Sequence, residues 1–248
     1  MAGHSKWKQI KRKKAVTDAK RGAAFTKLIR EITIAARQGG GDPTGNARLR
    51  VAIEAAKAQN MPFENIDRAV KKGTGELEGV TYEEVTYEGY GPAGVAIMLE
   101  ATTDNANRTV AEIRHLFDRH GGKLSSANSV AWMFDRCGLI TVEGTSVPED
   151  AVLEAALEAG AVDVTRDGEQ YAITTEPVDV HAVASTLRER GMAVSSVEFA
   201  LVPKSTVRVE GKDAERVLKL LEALEEIDDV ARVHSNFDMD AEMLEVGG

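Results

Sequence analysis

The sequence has little of what disulfide frameworks and membrane anchors require. Its 248 residues include a single cysteine, Cys137, which excludes an internal disulfide framework and fits a reducing compartment. No apolar run approaches the ~20 residues that a membrane-spanning helix needs. The basic N-terminus is not followed by the apolar segment of a secretory signal. These absences predict a globular, cytoplasmic protein with no membrane partner.

The sequence also lacks the clustered ligands of metal and cofactor sites. Its histidines are dispersed and none has the HExxH spacing: they are His4, His115, His120, His181 and His234. A lone cysteine cannot build a thiolate zinc site, and Cys137 is better explained as a partly buried thiol than as a nucleophile. Gly122-Lys123 lacks the upstream glycine of a phosphate-binding loop. The sequence therefore predicts no catalytic residue, no metal, no cofactor and no small-molecule substrate.

Acidic pairs leave one enzymatic alternative open. Asp228-Asp229 and the pair Asp238 and Asp240 resemble solvated surface carboxylates, which is the interpretation that we favour. A metal-dependent nuclease could use such carboxylates to hold two metal ions, and the pairs alone do not decide between the two roles. The nuclease is kept as the less favoured alternative.

Charge is distributed very unevenly along the chain. The net charge is -9, but residues 1–72 contain 17 Lys/Arg and 6 Asp/Glu residues and carry +11, while the remainder carries -20. Such an asymmetry is typical of a polyanion-binding segment attached to an acidic body. Because the acidic body repels nucleic acid, contact is expected at one end of the molecule.

Residues 1–72 have the pattern of a helical domain. Residues 18–38 carry a 3.6-residue apolar stripe, with Phe25 and Ile32 among its members, and Gly39-Gly40-Gly41 ends the helix. Asp42-Pro43 is predicted to cap a second helix, with the proline in the first helical position. Pro62 is predicted to open a third helix that stops at Gly73.

From residue 82 onward the pattern changes to strands alternating with helices. Residues 83–88 and 95–101 form a predicted hairpin about the turn 89–94, and helix 106–120 follows. Residues 138–202 have the order βαββαβ of a ferredoxin-like unit. Residues 206–236 form a lone βαβ, which cannot bury both of its faces and is predicted to pair with the hairpin. The fold class is α+β: a three-helix domain (1–78), a split α/β middle domain (79–135 and 204–240) and an inserted ferredoxin-like domain (136–203).

Basic residues supply the candidate nucleic-acid contacts. Lysine and arginine neutralise phosphates, and an interleaved tryptophan can stack on an unpaired base. Thr103-Asp104-Asn105 is expected to cap the helix that follows, and a cation in its first turn opposes the helix dipole, which favours a ligand role. The full predicted set is Lys6, Trp7, Lys8, Lys11, Arg12, Lys13, Lys14, Lys20, Arg21, Lys27, Arg30, Arg37, Arg48, Arg50 and Arg108.

Several motifs resemble one family in the same order along the whole chain. They are Gly3-His4-Ser5-Lys6-Trp7, the run from Phe25 to Ile32, Gly40-Gly41-Asp42-Pro43, Asn60-Met61-Pro62, the run from Tyr87 to Pro92, the run from Thr103 to Val110, and His120-Gly121-Gly122. On these motifs the chain is similar to the YebC (PmpR) family, which includes the mitochondrial translational activator of cytochrome c oxidase. The resemblance implies three domains, one helical and two α/β, with the middle one discontinuous.

The resemblance implies regulation of gene expression but leaves its level open. Family members are described as DNA-binding transcriptional regulators and also as ribosome-associated factors that assist translation. We favour a monomeric, non-enzymatic factor that contacts rRNA or tRNA through residues 1–72. Promoter DNA bound by the same domain is the main alternative, and a protein-interaction adaptor that uses the ferredoxin-like unit is a third.

Overall fold

The structure is a computed structural model that describes residues 18–144 and 148–239. It confirms the α+β class: three helices come first, and mixed sheets with helices follow. The described residues form two compact units, a larger one (18–132 with 206–239) and a smaller one (133–205) inserted into it. Within the described ranges, no helix is long and apolar enough to cross a membrane. The division of the larger unit into separate helical and α/β domains stays a prediction.

Helices α1 (Asp18–Gly39), α2 (Ala47–Ala58) and α3 (Phe63–Thr74) surround one apolar core. Ile32, Leu49 and Ile66 contribute one buried side chain from each helix. Phe25 packs against the edge of this cluster, so the apolar stripe predicted for α1 is confirmed. Burial of a side chain of this size contributes about 1.5–3 kcal/mol, which makes this core the main stabiliser of the three helices.

Two predicted helix boundaries in this part are wrong. Helix α2 begins at Ala47, not at Pro43, and Asn46 is its N-cap, accepting a hydrogen bond from the Leu49 N–H at 3.0 Å. The Asp42 carboxylate instead accepts bonds from the backbone N–H and hydroxyl of Thr44, which form a local turn before the helix and lower the Asp42 pKa. A side chain that bonds its own neighbouring backbone competes with helix initiation.

The predicted stop at Gly73 is also wrong, because Gly73 has a packing role. Helix α3 continues to Thr74, and Gly75 is its C-cap with φ of 84°. A Cβ atom at position 73 would lie 2.4 Å from the carbonyl oxygen of Thr33 on α1. The glycine therefore lets the backbones of α1 and α3 approach closely.

The sheet of the larger unit has the strand order β3-β1-β2-β9. Its strands are β1 (Glu83–Tyr90), β2 (Ala96–Thr103), β3 (Lys123–Ser125) and, from the distal part of the chain, β9 (Val230–Ser235). The β1–β2 hairpin is confirmed, with Tyr90 opposite Ala96 at its closed end. Strand β9 lies antiparallel to β2, so the predicted pairing of the C-terminal segment with the hairpin is confirmed.

Helices α4 (Ala106–Arg119) and α7 (Gly211–Glu226) belong to the same unit as this sheet. The Phe117 ring of α4 packs so close to β1 that a Cβ atom at Gly89 would lie 2.7 Å from it. Ile97 of β2 and Leu220 of α7 are fully buried and approach the neighbouring Gly91. This apolar layer packs α4 and α7 near the closed end of the β1–β2 hairpin.

The predicted strand at 206–210 is shorter and lies elsewhere. Strand β8 (Val207–Arg208) does not join the four-stranded sheet but pairs in parallel with β10 (Phe237–Asp238). The reason is the short link after β9: buried Asn236 bonds both the N–H and the carbonyl of Ala96, and the chain then continues beside β8. The C-terminal βαβ is therefore divided between two sheets.

The inserted unit has the predicted βαββαβ order. Its elements are β4 (Phe134–Glu143), α5 (Glu149–Glu158), β5 (Asp163–Asp167), β6 (Gln170–Thr175), α6 (Val180–Glu189) and β7 (Val194–Pro203). The sheet order β5-β6-β4-β7, antiparallel throughout, is the ferredoxin-like order. Strand β4 begins four residues before the predicted start because Phe134 pairs with Pro203 at the end of β7.

Candidate nucleic-acid interface

Much of the predicted interface precedes the first described residue. Lys6, Trp7, Lys8, Lys11, Arg12, Lys13 and Lys14 lie outside the described residues. Lys20 and Arg21 belong to the first turn of α1, where the structure describes the backbone only. Nucleic-acid contact by all of these residues stays a prediction.

Two predicted cations of α1 contact the chain itself. Lys27 donates a hydrogen bond to the carbonyl oxygen of Glu225 at the end of α7. Arg30 donates from Nη1 to the Asp228 carbonyl oxygen at 2.7 Å and to Asp229 Oδ1 at 2.7 Å. Its guanidinium carbon also lies 5.5 Å from the centre of the Tyr82 ring, within range of a cation–π contact. These contacts attach α1 to the end of α7, to the loop that follows it and to Tyr82 just before β1.

Asp229 is the centre of this junction, and its interpretation as a solvated surface acid is wrong. The residue is 4% exposed. Oδ1 accepts from Arg30, while Oδ2 accepts from Arg108 Nη2 at 2.7 Å and from the Thr109 hydroxyl at 2.7 Å. The Thr103 hydroxyl donates to the same oxygen at 3.1 Å. One carboxylate therefore joins α1, the end of β2 and the first turn of α4.

The electrostatics of Asp229 follow from these bonds. Burial alone raises the pKa of a carboxyl group. Here the hydrogen bonds from Arg108, Thr109, Thr103 and Arg30 outweigh burial and lower the Asp229 pKa to about 2. The group is thus a permanent anion at neutral pH, and its charge is matched by two guanidinium groups.

The start of α4 explains the position of Arg108. Asn105 is the N-cap and accepts from the Arg108 N–H at 3.1 Å, so the predicted cap is confirmed. Arg108 pairs with Asp104 at 2.8 Å as well as with Asp229, and these hydrogen bonds raise its pKa. Two carboxylates thus offset the unfavourable position of this cation at a helix N-terminus. Its side chain is nevertheless 50% exposed to solvent.

Arg48 forms a second cluster at the edge of the sheet. Its guanidinium pairs with Glu31 of α1 at 2.9 Å and with Glu84 of β1, and Nη1 donates to Gln38 at 2.8 Å. Burial opposes the charge, but the bonds to Glu84 and Glu31 raise the Arg48 pKa, and the bond from Arg48 lowers the Glu84 pKa. Arg48 thus links α1, α2 and β1.

The remaining cations differ in their exposure and in the hydrogen bonds that they make within the protein. Arg50 donates from Nε to the Pro43 carbonyl at 3.1 Å and stays half-buried. Arg37 is exposed, with one long bond of 3.4 Å to the Tyr82 carbonyl. Lys57 and Arg68, which the sequence-based set omits, are also exposed on α2 and α3. Exposed cations are therefore present on each of the helices α1, α2 and α3.

The described residues offer charged binding groups but no cluster of metal ligands. Among them, no group of three or more His, Cys, Asp or Glu side chains could hold a metal ion. Cys137 is buried on β4. The arrangement supports ionic binding directly, because guanidinium and ammonium groups are exposed on the helical part. Other cations of this part are bound to carboxylates.

These features define the class: an α+β protein with a cation-rich helical part and an inserted ferredoxin-like unit. Residues 5–76 match the TACO1/YebC protein N-terminal domain, and residues 82–237 match the TACO1/YebC second and third domain. The chain belongs to the TACO1/YebC family.

Individual relatives agree with this assignment over nearly the full chain. A protein of Gemmatimonas aurantiaca named "Probable transcriptional regulatory protein" is 61% identical and covers 97% of both chains. A protein of Chlorobium luteolum with the same name is 54% identical and covers 96% of both. The crystal structure of a conserved hypothetical protein from Aquifex aeolicus superposes with a TM-score of 0.86 at 50% identity, covering 94% of this chain and 96% of that one.

Proposed function

We propose that the protein is a nucleic-acid-binding regulator of gene expression that binds through its basic N-terminal part. The observation that carries this proposal is the charge distribution: +11 on residues 1–72 against -20 on the remainder. Binding to a polyanion releases condensed counterions in proportion to the phosphates neutralised, so a concentrated basic segment gains more than a dispersed one. The names of the curated relatives, which describe probable transcriptional regulatory proteins, support regulation of gene expression.

We favour the ribosome as the target, with rRNA or tRNA as the contacted nucleic acid. The acidic remainder of the chain is repelled by the phosphates of a free duplex, whereas a basic end can enter a cleft between folded RNA segments. Trp7 lies among lysines in the sequence, and a tryptophan suits the unpaired bases that folded RNA offers.

Binding of promoter DNA by the same segment is the second candidate. The names of the relatives favour it, and weak duplex binding is expected of any segment with this charge. Both candidates use the same basic residues, so mutations in that segment do not separate them. The identity of the nucleic acid recovered from cells does.

Crosslinking in living cells, followed by sequencing of both RNA and DNA, tests the choice of target. The ribosomal proposal predicts crosslinks to rRNA or tRNA and co-sedimentation with ribosomal particles on a sucrose gradient at moderate salt. Crosslinks confined to promoters, with the protein at the top of the gradient, contradict the ribosomal proposal and favour the transcriptional one. Incubation with labelled RNA and DNA, with and without Mg²⁺, separates both from a nuclease, because a binding protein leaves the strands intact.

A further inference from the structure

A buried carboxylate fixes the loop that follows β3. Glu88 of β1 is 5% exposed and accepts hydrogen bonds from the backbone N–H groups of Asn128 at 2.7 Å, Val130 at 2.7 Å and Ala131 at 2.9 Å. Burial raises the pKa of the Glu88 carboxyl, but these N–H bonds outweigh it, so the pKa is lowered. Bonds to an ionised acceptor are stronger than neutral ones, so this loop is held in one conformation.

The loop ends in an exposed aromatic ring. Trp132 is 67% exposed, which is unusual for so large an apolar side chain. Its indole N–H donates to the Ser129 carbonyl oxygen at 3.1 Å, and the Tyr90 hydroxyl donates to the same oxygen at 3.0 Å. The only polar atom of the indole is thus satisfied within the protein, which leaves the ring surface as the part available to a ligand.

A cation lies opposite Tyr90, the residue that shares a hydrogen-bond acceptor with Trp132. Lys123 is exposed and lies directly opposite Tyr90 in the β1–β3 ladder, so the two side chains are on the same face of the sheet. The segment from Lys123 to Trp132 contains no acidic residue. The segment that carries the exposed tryptophan therefore has one cation, Lys123, and no acidic residue of its own, although the body of the chain is acidic.

We infer that Trp132, Tyr90 and Lys123 form a second nucleic-acid contact, in which Trp132 stacks on an unpaired base and Lys123 neutralises a neighbouring phosphate. This inference rests on the proposed function and adds a site outside the basic segment. An aromatic ring beside a cation is the combination that single-stranded nucleic acids use, because every base has a stacking surface and every nucleotide a phosphate. An unpaired base is required, since the bases of a duplex are already stacked on each other.

The chain has two tryptophans, Trp7 and Trp132, so intrinsic fluorescence reports on this site alone once Trp7 is replaced. In the full-length Trp7→Phe variant, Trp132 is the only tryptophan, and binding of a single-stranded RNA of about 12 nucleotides is expected to quench its emission. Affinity for the labelled RNA is measured in parallel by anisotropy. In the same background, Trp132→Ala is expected to weaken binding about tenfold, equivalent to about 1.4 kcal/mol, while Trp132→Phe retains most of the affinity.

A matched control separates stacking from general loss of apolar surface. Leu157, on α5 of the acidic inserted unit, is 60% exposed, and Leu157→Ala is expected to leave RNA affinity unchanged. The melting temperature of Trp132→Ala should stay close to that of its parent, because the ring is mostly in solvent already.

The outcomes distinguish this inference from the proposed function. RNA binding with unchanged Trp132 emission and unchanged affinity in Trp132→Ala overturns the inference and leaves the proposed function standing. Equal losses in Trp132→Ala and Trp132→Phe also overturn it, since phenylalanine can still stack. If the full-length chain binds no oligonucleotide at all, the proposed function fails and this inference fails with it.

Discussion

Asp229→Asn should destabilise the larger unit, because Asp229 joins its helical and α/β parts. The substitution keeps the shape of the side chain and removes the charge that two guanidinium groups share. An asparagine side chain accepts hydrogen bonds only at its carbonyl oxygen. Its NH₂ group would therefore face either the donor of Arg30 or, in the other orientation of the amide, the donors of Arg108 and the two threonines. The junction would then hold two cations without a buried counter-charge.

The size of the effect can be worked out in two ways. Removing one partner of a buried ion pair typically costs about 3–5 kcal/mol. The pKa gives a comparable figure: lowering from the ordinary 3.8 to about 2 corresponds to roughly 2 kcal/mol of stabilisation by the charged form. We therefore expect a loss of about 3 kcal/mol, which lowers the melting temperature by roughly 6–12 °C for a chain of this size.

Thermal unfolding at neutral pH, followed by calorimetry, measures this loss. Asp228→Asn is the matched control: its side chain is exposed, and the contact it makes with Arg30 is through the backbone carbonyl, which the substitution leaves in place. The control should unfold within about 2 °C of the wild type, in line with the ±0.5 kcal/mol typical of surface substitutions. An Asp229→Asn variant as stable as the control would refute the junction role.

The same carboxylate predicts a pH dependence with a definite sign. Its folded-state pKa of about 2 lies below the ordinary value of 3.8, so its contribution is complete above about pH 4 and is lost as the pH falls towards 2. Wild type should therefore lose stability over this range more steeply than Asp229→Asn, which has no such group to protonate. Parallel pH profiles for the two proteins would contradict the assignment.

Three further predictions concern the loop, the helix contact and the inserted unit. Glu88→Gln should loosen the loop at 126–133, because a neutral acceptor binds the N–H groups of Val130 and Ala131 less strongly. Amide hydrogen exchange at these two residues should become faster, and unchanged exchange would contradict the role of Glu88. Gly73→Ala should lower stability by about 1–3 kcal/mol, because the added carbon would press on the Thr33 carbonyl, whereas an unchanged melting temperature would show that α1 and α3 adjust freely. Residues 133–205 expressed alone should unfold cooperatively on heating, and a non-cooperative transition would mean that the unit depends on the rest of the chain.

Local patterns were sufficient to predict most elements of this fold. The apolar stripe of α1, the β1–β2 hairpin and the βαββαβ order depend on periodicity and turn residues within short windows, and the structure confirms all three. The capping role of Asn105 is similarly local. Errors arose where one local signal had two uses: Asp42 forms a turn instead of a cap, and Gly73 serves close packing instead of helix termination.

The junction could not be predicted because its members are distant in sequence. Arg30 and Asp229 are 199 positions apart, and nothing near Asp229 distinguishes it from its exposed neighbour Asp228. Glu88 is a similar case, since its N–H donors come from a loop about 40 residues away. The charge asymmetry was visible in the sequence, but only the structure separates the exposed Arg37 from Arg48, which carboxylates hold.

Nucleic-acid binding through the basic N-terminal part is tested most directly by the salt dependence of RNA binding by the full-length chain. One variant replaces four cations of the basic segment with alanine: Lys11, Arg12, Lys13 and Lys14. The control variant replaces four cations of the acidic inserted unit with alanine and so has the same change in net charge: Arg166, Arg188, Arg190 and Lys204. Affinity for a labelled single strand is measured between about 50 and 200 mM salt. We predict weaker binding in the first variant, with a slope of log K against log salt that is flatter by about 0.7 for each phosphate that the variant no longer neutralises. The control should show little change. Unchanged affinity and slope in the first variant, or equal reductions in both, would contradict binding through the basic N-terminal part.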